Sequence, residues 1–343
     1  MKRNLAFRIN LKENFGLGHL IRCLRIANII KKRYQIYFVC DNLSEKSEIR
    51  KYLNSYKIIN IYTKNNFFNE KEDSKKFLSK FNQVKLDVVI VDDYRIGKIW
   101  HIAIKKKNSK LIVIDDLLNK KYHCDYYINY KNDKQKSLLW KAKKSCNKDA
   151  KLLIGNKYSL IGKNLIKKRK TNSKINLLIN FGNYYDFSQA RTLLQNLVNK
   201  KKSDKFKVFL CIGIFAKNYS YLVDLSKKNK DFTIIHKKIF IENLISKMDF
   251  YVGSCGNALY ETSYLNIPSV FFSMSKNQEN KISDLEQYGH YFLLKKKYLN
   301  TLETSNLIKE LIKNYRRIIK LNFSKKIFLK KNGANLIIKK TNL

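Results

Sequence analysis

Short apolar, β-branched runs alternate along this chain with longer stretches in which apolar residues recur three and four apart. In the first half the runs are LAFRI (5–9), QIYFVC (35–40), DVVIVDD (87–93), KLIVIDD (110–116) and DYYIN (125–129). A short continuous apolar run reads as a strand buried on both faces; the three-and-four spacing reads as amphipathic helix, here near 19–33, 72–82 and 96–107. VVIVDD and LIVIDD both end in paired carboxylates, which suits parallel strands whose C-terminal ends border a ligand crevice. The polar segment KNLIKKRKTNSK (163–174) reads as a linker to a second array. That array has strands INLLINFG (175–182), FKVFLCIG (206–213), FTIIH (232–236), FYVGSCG (250–256) and PSVFFS (268–273), with helices near 187–200, 219–229, 240–247, 257–265 and 277–287. From 302 onward the pattern is helical, as in IKELIKNYRRIIKL. The pattern predicts an α/β protein of two doubly wound, Rossmann-like domains facing each other across a cleft. The first spans 1–162, and the second spans 175–343 and includes the C-terminal helices.

Composition changes this picture little. Apolar residues make up 44%, enough for two cores. Lys and Arg number 71 against 27 Asp and Glu, a net charge of +44. The excess is spread from Lys2 to Lys340, and Asn, Ile, Tyr and Phe are inflated while Gly and Pro are scarce. This fits a Lys-rich solvated surface and a nucleotide bias in the source genome, and a diffuse positive field still favours anionic substrates. A nucleic-acid binder is disfavoured, because neither a clustered basic run nor a known binding module is present. The six cysteines (23, 40, 124, 146, 211, 255) form no C-x-x-C pair, so reduced thiols in a cytoplasmic protein are expected rather than disulfides or zinc. The chain runs at once into Leu5–Ile9 and has no long uncharged apolar run, so neither a signal peptide nor membrane insertion is expected.

With eleven glycines in 343 residues, their positions carry information. Gly16 and Gly18 follow the first strand, Gly182 ends the first strand of the second array, and Gly253 and Gly256 flank Ser254 and Cys255 before a helix. Glycine at a strand-to-helix turn allows close ligand approach, and the helix N-terminus that follows suits a phosphate; tight turns also favour glycine by themselves. His19 begins the first predicted helix, where its Nε2 is a candidate general base, the alternative being a capping or structural histidine. Arg22 lies one turn further on. His123-Cys124-Asp125 alternate along the start of a strand and read as structural, Cys255 reads as a small residue in a tight turn, and Asp115 and Asp116 as capping or lining residues.

The stretch DFYVGSCGNALYETSYLNIPSVFFSMSKNQ (249–278) resembles the nucleotide-sugar half of GT-B enzymes, especially the glycosyltransferase that makes lipid II. That resemblance implies diphosphate contacts at Ser254, Cys255, Gly256 and Asn257, and ribose contacts at Glu261, whose other reading is a surface helix carboxylate. G-x-G-H-x-x-R-C-L-x-x-A (16–27), VDDYRI (91–96), IDDLLNKKYHCDYYIN (114–129), GNKYSLIGKNL (155–165), CGNALYETSYLNIP and KNQEN follow in one order. Together they resemble the UDP-2,4-diacetamido-2,4,6-trideoxy-β-L-altropyranose hydrolases of pseudaminic acid biosynthesis, over roughly residues 5 to 295. The resemblance implies a GT-B fold, no metal or other cofactor, and inverting attack of water on the anomeric carbon of a UDP-linked amino sugar. It assigns His19 to the water, Tyr94 to the family's tyrosine, and Asn277 and Gln278 to the Asn-Gln pair; by their own positions Gly16 and Gly18 read as making room at the crevice, and Arg22 as facing either the crevice or solvent. Two departures touch the sugar site. The family's middle histidine is Asp93, and its F-G-G turn reads Phe181-Gly182-Asn183, where Asn183 is tolerated because asparagine enters the left-handed region more readily than most residues. A monomeric hydrolase is expected, with a glycosyltransferase on the same scaffold, using a UDP-amino sugar for surface glycans, as the alternative.

Overall fold

The computed structural model describes residues 2–11, 17–41, 43–61, 68–130, 136–162, 165–166, 174–199, 206–236, 238–274, 291–321 and 333–343. Two compact units emerge, one of residues 1–160 with 331–343 and one of residues 161–330. Most of the segment read as a linker, and the helix read near 277–287, lie outside the described residues.

In unit 1 the strands are β1 (Arg3–Ile9), β2 (Tyr34–Cys40), β3 (Lys57–Asn60), β4 (Val88–Asp92), β5 (Lys110–Ile114), β6 (Tyr126–Asn129) and β7 (Lys151–Ile154). All pair in parallel, in the order β3-β2-β1-β4-β5-β6-β7. The direction of winding reverses between β1 and β4, where Ile9 pairs with Asp92. At that reversal the connections leave in opposite directions and open a crevice at the carboxyl ends of the strands. The helices α1 (Gly18–Ile30), α2 (Glu70–Ser79), α3 (Lys98–Lys105) and α4 (Lys136–Ser145) flank the sheet. β4 and β5 are buried almost throughout, which is why they read as unbroken apolar runs. The edge strands β3 and β7 have four residues each and are only partly buried, so the hydrophobic pattern passed over them, and over the mostly polar α4.

Unit 2 repeats the plan with β8 (Ile175–Asn180), β9 (Phe206–Ile212), β10 (Phe232–His236), β11 (Phe250–Ser254), β12 (Ser269–Ser273) and β13 (Tyr291–Lys295), in the parallel order β10-β9-β8-β11-β12-β13. Its helices are α5 (Arg191–Val198), α6 (Ser220–Lys228), α7 (Glu242–Ile245), α8 (Ala258–Tyr264), α9 (Leu302–Lys313) and α10 (Tyr315–Leu321). The winding reverses between β8 and β11. One sequence expectation is corrected here. The last helix, α11 (Gly333–Thr341), belongs to unit 1 and not to the second domain. Its apolar face, Ala334, Ile337 and Ile338, is buried, Lys110 Nζ donates to the Thr341 carbonyl at 2.9 Å, and a Cβ on Gly333 would lie 2.2 Å from the Ser159 carbonyl oxygen. Helical periodicity identifies such a face but not the surface that receives it. Among the described residues no helix is long and apolar enough to cross a membrane.

The core of unit 1 holds a titratable group with a consequence for stability. His101 on α3 is fully buried between Trp100 and Tyr122; its Nδ1 accepts from the His123 amide at 3.3 Å. Burial pushes its pKa down to about 3, with the charges of His123 and Lys120 adding to the effect. An unfolded histidine protonates near pH 6.5, so below that pH the unfolded chain binds the extra proton and the folded chain does not. Stability is therefore fully present above about pH 6.5 and falls by up to about 1.4 kcal/mol per pH unit toward pH 3. His101→Phe is expected to flatten the decline of the urea midpoint between pH 6.5 and 4.5. An unchanged slope would show that other groups control it.

Candidate functional site

In unit 1 the reversal of winding places the start of α1 beside the end of β4, and four ionisable side chains meet there out of water. His19 Nδ1 lies 2.6 Å from Asp92 Oδ1. Arg22, one turn further along α1, grips the same carboxylate with Nε on Oδ2 at 2.8 Å and Nη2 on Oδ1 at 2.6 Å. Its Nη1 faces Asp116 Oδ2 at 3.5 Å, and the Tyr94 hydroxyl donates to Asp116 Oδ1. The Tyr94 ring meets the His19 ring edge-on at 4.6 Å. His19, Arg22, Asp92 and Asp116 are all buried.

The charges are set by this packing. Burial works to raise the Asp92 pKa, but Arg22 and His19 outweigh it and hold the carboxyl below its usual range. Asp92 is thus an anion, and its Oδ1 orients the His19 ring through Nδ1 at 2.6 Å, a nitrogen that Arg22 Nη2 also approaches at 2.9 Å. Tyr94 is pushed well above the ordinary phenol range by burial and by Asp116, so it stays protonated and donates. An imidazole oriented by a buried carboxylate is the geometry in which a histidine can serve as a general base.

Asp93 points to the opposite side of the strand end and is not part of this group. Its carboxylate takes Arg95 Nε at 2.9 Å and Nη2 at 2.6 Å and faces Arg8 Nη1 at 3.7 Å. Arg8, fully buried in β1, also binds Asp73 and Asp41, and Trp100 Nε1 donates to Asp73 at 2.8 Å. The residue that replaces the expected histidine thus anchors a second, internal ion-pair cluster. This is where the structure departs from the reading of Asp93 as a sugar contact.

In unit 2 the corresponding reversal brings together the turns after β8 and β11. The Asn180 side chain accepts from the Gly182 amide at 3.2 Å, and Gly182 takes the left-handed conformation, φ 96°. Asn183 is not among the positive-φ residues, so the turn does not use the tolerance expected of it. The Asn183 carbonyl instead accepts from the Phe215 amide at 2.9 Å. Gly213 permits this arrangement, since a Cβ there would lie 2.3 Å from Asn183 Cα. A Cβ on Gly182 would stand 3.7 Å from Ser254 Oγ, so the two turns adjoin. Glu261 on α8 is 1% exposed, which removes the surface-carboxylate reading, and its charge helps push the buried Tyr251 hydroxyl upward after burial itself. Cys255 is buried in the same turn, its amide on the Phe272 carbonyl at 3.2 Å.

Solved structures with this architecture include a UDP-glucosyltransferase, the calicheamicin glycosyltransferase and a UDP-GlcNAc 2-epimerase. Acinetobacter baumannii MurG superposes with a TM-score of 0.69 at 12% identity, covering 100% of this chain and 99% of that one. The calicheamicin glycosyltransferase CalG4 gives 0.64 at 11%, covering 100% and 98%. The chain has the GT-B fold. A Neisseria meningitidis UDP-GlcNAc 2-epimerase bound to UDP-GlcNAc gives 0.61 at 13%, covering 99% of each chain, so glycosyltransferases and epimerases share the fold. By sequence, an uncharacterized Methanocaldococcus jannaschii protein is 24% identical over 314 residues, 85% of this chain; the chain spans 59% of that relative's length. No family profile matches the chain.

Within this GT-B chain the structure joins His19, Arg22 and Tyr94 in one cluster and Gly182, Asn183 and Ser254 in another. Gly16, Asn277 and Gln278 lie outside the described residues. His123, Cys124 and Asp125 take separate partners: Asp125 pairs with Lys105 at 2.8 Å, and the Cys124 amide donates to Asn147. Sequence reasoning missed Asp92 as the partner of His19, Asp116 as the partner of Tyr94, and Gly213. The paired carboxylates at the ends of β4 and β5 were the available signal for the first two.

Proposed function

We propose that this protein hydrolyses a UDP-linked 2,4-diacetamido-2,4,6-trideoxy sugar to UDP and free sugar, as a step of pseudaminic-type nonulosonic acid biosynthesis. The observation that carries the reading is the buried His19–Asp92 pair at the β1/β4 reversal, with Arg22 clamping the carboxylate. In this mechanism a water oxygen attacks the anomeric carbon and its proton passes to His19 Nε2. The bond from that carbon to the UDP oxygen breaks with its electron pair, so UDP leaves as an anion that needs no proton. Asp92 stabilises the imidazolium as it forms, and Tyr94, kept protonated with its O–H given to Asp116, offers its oxygen as an acceptor to the sugar or the attacking water. Unit 2 holds UDP, with the diphosphate at the Gly182–Asn183 and Ser254–Asn257 turns, the ribose at Glu261, and further contacts from Asn277 and Gln278. Fixed N–H dipoles at the departing phosphate supply much of the rate.

Purified protein incubated with the UDP-sugar in EDTA is expected to release UDP and free sugar in equal amounts. No turnover across UDP-diacetamido sugars would reject the reading. A second reading is transfer to an acceptor hydroxyl, favoured by the likeness to MurG and CalG4. It predicts UDP release that depends on added acceptor and yields a glycoside. The nucleotide half is tested separately. A methyl group at Gly256 meets nothing within 4 Å among the described residues, so Gly256→Ala is expected to leave thermal stability unchanged. It should weaken UDP binding about tenfold by calorimetry, through a clash with the diphosphate. Unchanged affinity would take this turn out of the nucleotide site.

A further inference from the structure

The chain has two tryptophans, used in opposite ways. Trp100 is buried in unit 1, whereas Trp140 on α4 is 56% exposed, and its neighbour Leu139 is 43% exposed. α4 holds to unit 1 through Leu138 and Ala142, four residues apart on one face and packed with Ile154, Leu118 and Leu152. The remaining surface carries Leu139 and Trp140 together with the exposed Lys141, Lys143 and Lys144, and Lys148 follows just beyond the helix. Lys144 Nζ sits 3.7 Å from the centroid of the Trp140 ring. From 136 to 148 the sequence has no Asp or Glu.

An indole and an isobutyl group ringed by ammonium groups match one environment in both respects. At an anionic lipid–water interface the indole seats at headgroup level and the lysines meet phosphates. A nucleic acid would use the lysines and could stack on the indole, but it leaves Leu139 in water. We propose that α4 is a peripheral docking face for membrane surfaces rich in anionic lipid, with Trp140 and Leu139 entering the headgroup layer and Lys141, Lys143 and Lys144 supplying charge complementarity. This holds whichever nucleophile the enzyme uses.

The test uses the full chain and vesicles of phosphatidylcholine with about 30% phosphatidylglycerol, compared with phosphatidylcholine alone. Only the anionic vesicles are expected to bind, with a blue shift of Trp140 emission, Trp100 being already buried. Trp140→Ser and, separately, Lys141→Glu/Lys143→Glu/Lys144→Glu should each lower partitioning at least about tenfold. Lys227→Glu/Lys228→Glu/Lys230→Glu, the same change of net charge on exposed positions of unit 2, should leave it within about twofold. The proposal is overturned if the wild-type protein does not bind, if the α4 variants bind as it does, or if the unit 2 variant loses as much. Tighter α4-dependent binding to a single-stranded oligonucleotide than to the vesicles would also overturn it.

Discussion

His19→Ala is expected to lower turnover of the UDP-sugar by about 10³-fold while the Kd for UDP stays within about twofold. The separation follows from where the groups sit. The imidazole belongs to unit 1, and the nucleotide contacts proposed for UDP are all in unit 2. Asp92→Asn is expected to cost a further-reaching but similar amount, about 10²- to 10⁴-fold, because an amide can hold His19 in the wrong tautomer and no longer stabilises the imidazolium. It also leaves the buried Arg22 guanidinium with only the more distant Asp116 as an ionic partner, so circular dichroism must show the variant folded before its rate is read. An unchanged rate in His19→Ala would remove the histidine from the chemistry. Because Asp92 is held below the usual carboxylate range, its contribution is fully present above about pH 4 and is lost only as pH falls through its depressed value. A fall in rate already under way at pH 6 would therefore belong to another group.

Gly253→Ala is expected to destabilise unit 2 by about 3 kcal/mol or more, lowering its melting temperature by about 10 °C. Gly253 lies in β11 opposite Asn180 of β8, at the reversal of winding. A Cβ there would stand 1.9 Å from the Asn180 carbonyl oxygen and 2.7 Å from the Tyr251 hydroxyl, which itself donates to that carbonyl at 3.1 Å. Backbone and a fully buried tyrosine cannot both yield, so the pairing of the two central strands opens. Gly18→Ala is the control. A methyl group on Gly18 meets nothing within 4 Å among the described residues and alanine favours a helix, so its melting temperature should be unchanged or slightly raised. Equal melting temperatures for Gly253→Ala and the wild type would refute the steric argument.

Local pattern was enough to define the fold class. Central parallel strands such as VVIVD and KLIVI are buried on both faces, and that burial demands unbroken apolar runs which alternate with amphipathic helices. The scarcity of glycine likewise made the turns at Gly182 and Gly253 visible, because a close backbone approach excludes any side chain. His19, as the first side chain after G-L-G, was legible for the same reason. What the sequence could not contain was partnership across distance. Asp92 reaches His19 over 73 positions only because β1 and β4 are neighbours at the reversal of winding. The alternation of side chains at the end of β4 then sends Asp92 to the histidine and Asp93 to Arg8 and Arg95, a division that two adjacent aspartates do not announce. The C-terminal helix shows the same limit. Its apolar stripe is local information, whereas the backbone groove at Ser159 that accepts Gly333 exists only once unit 1 has folded. Periodicity determines which face of an element must be covered, and tertiary packing alone decides what covers it.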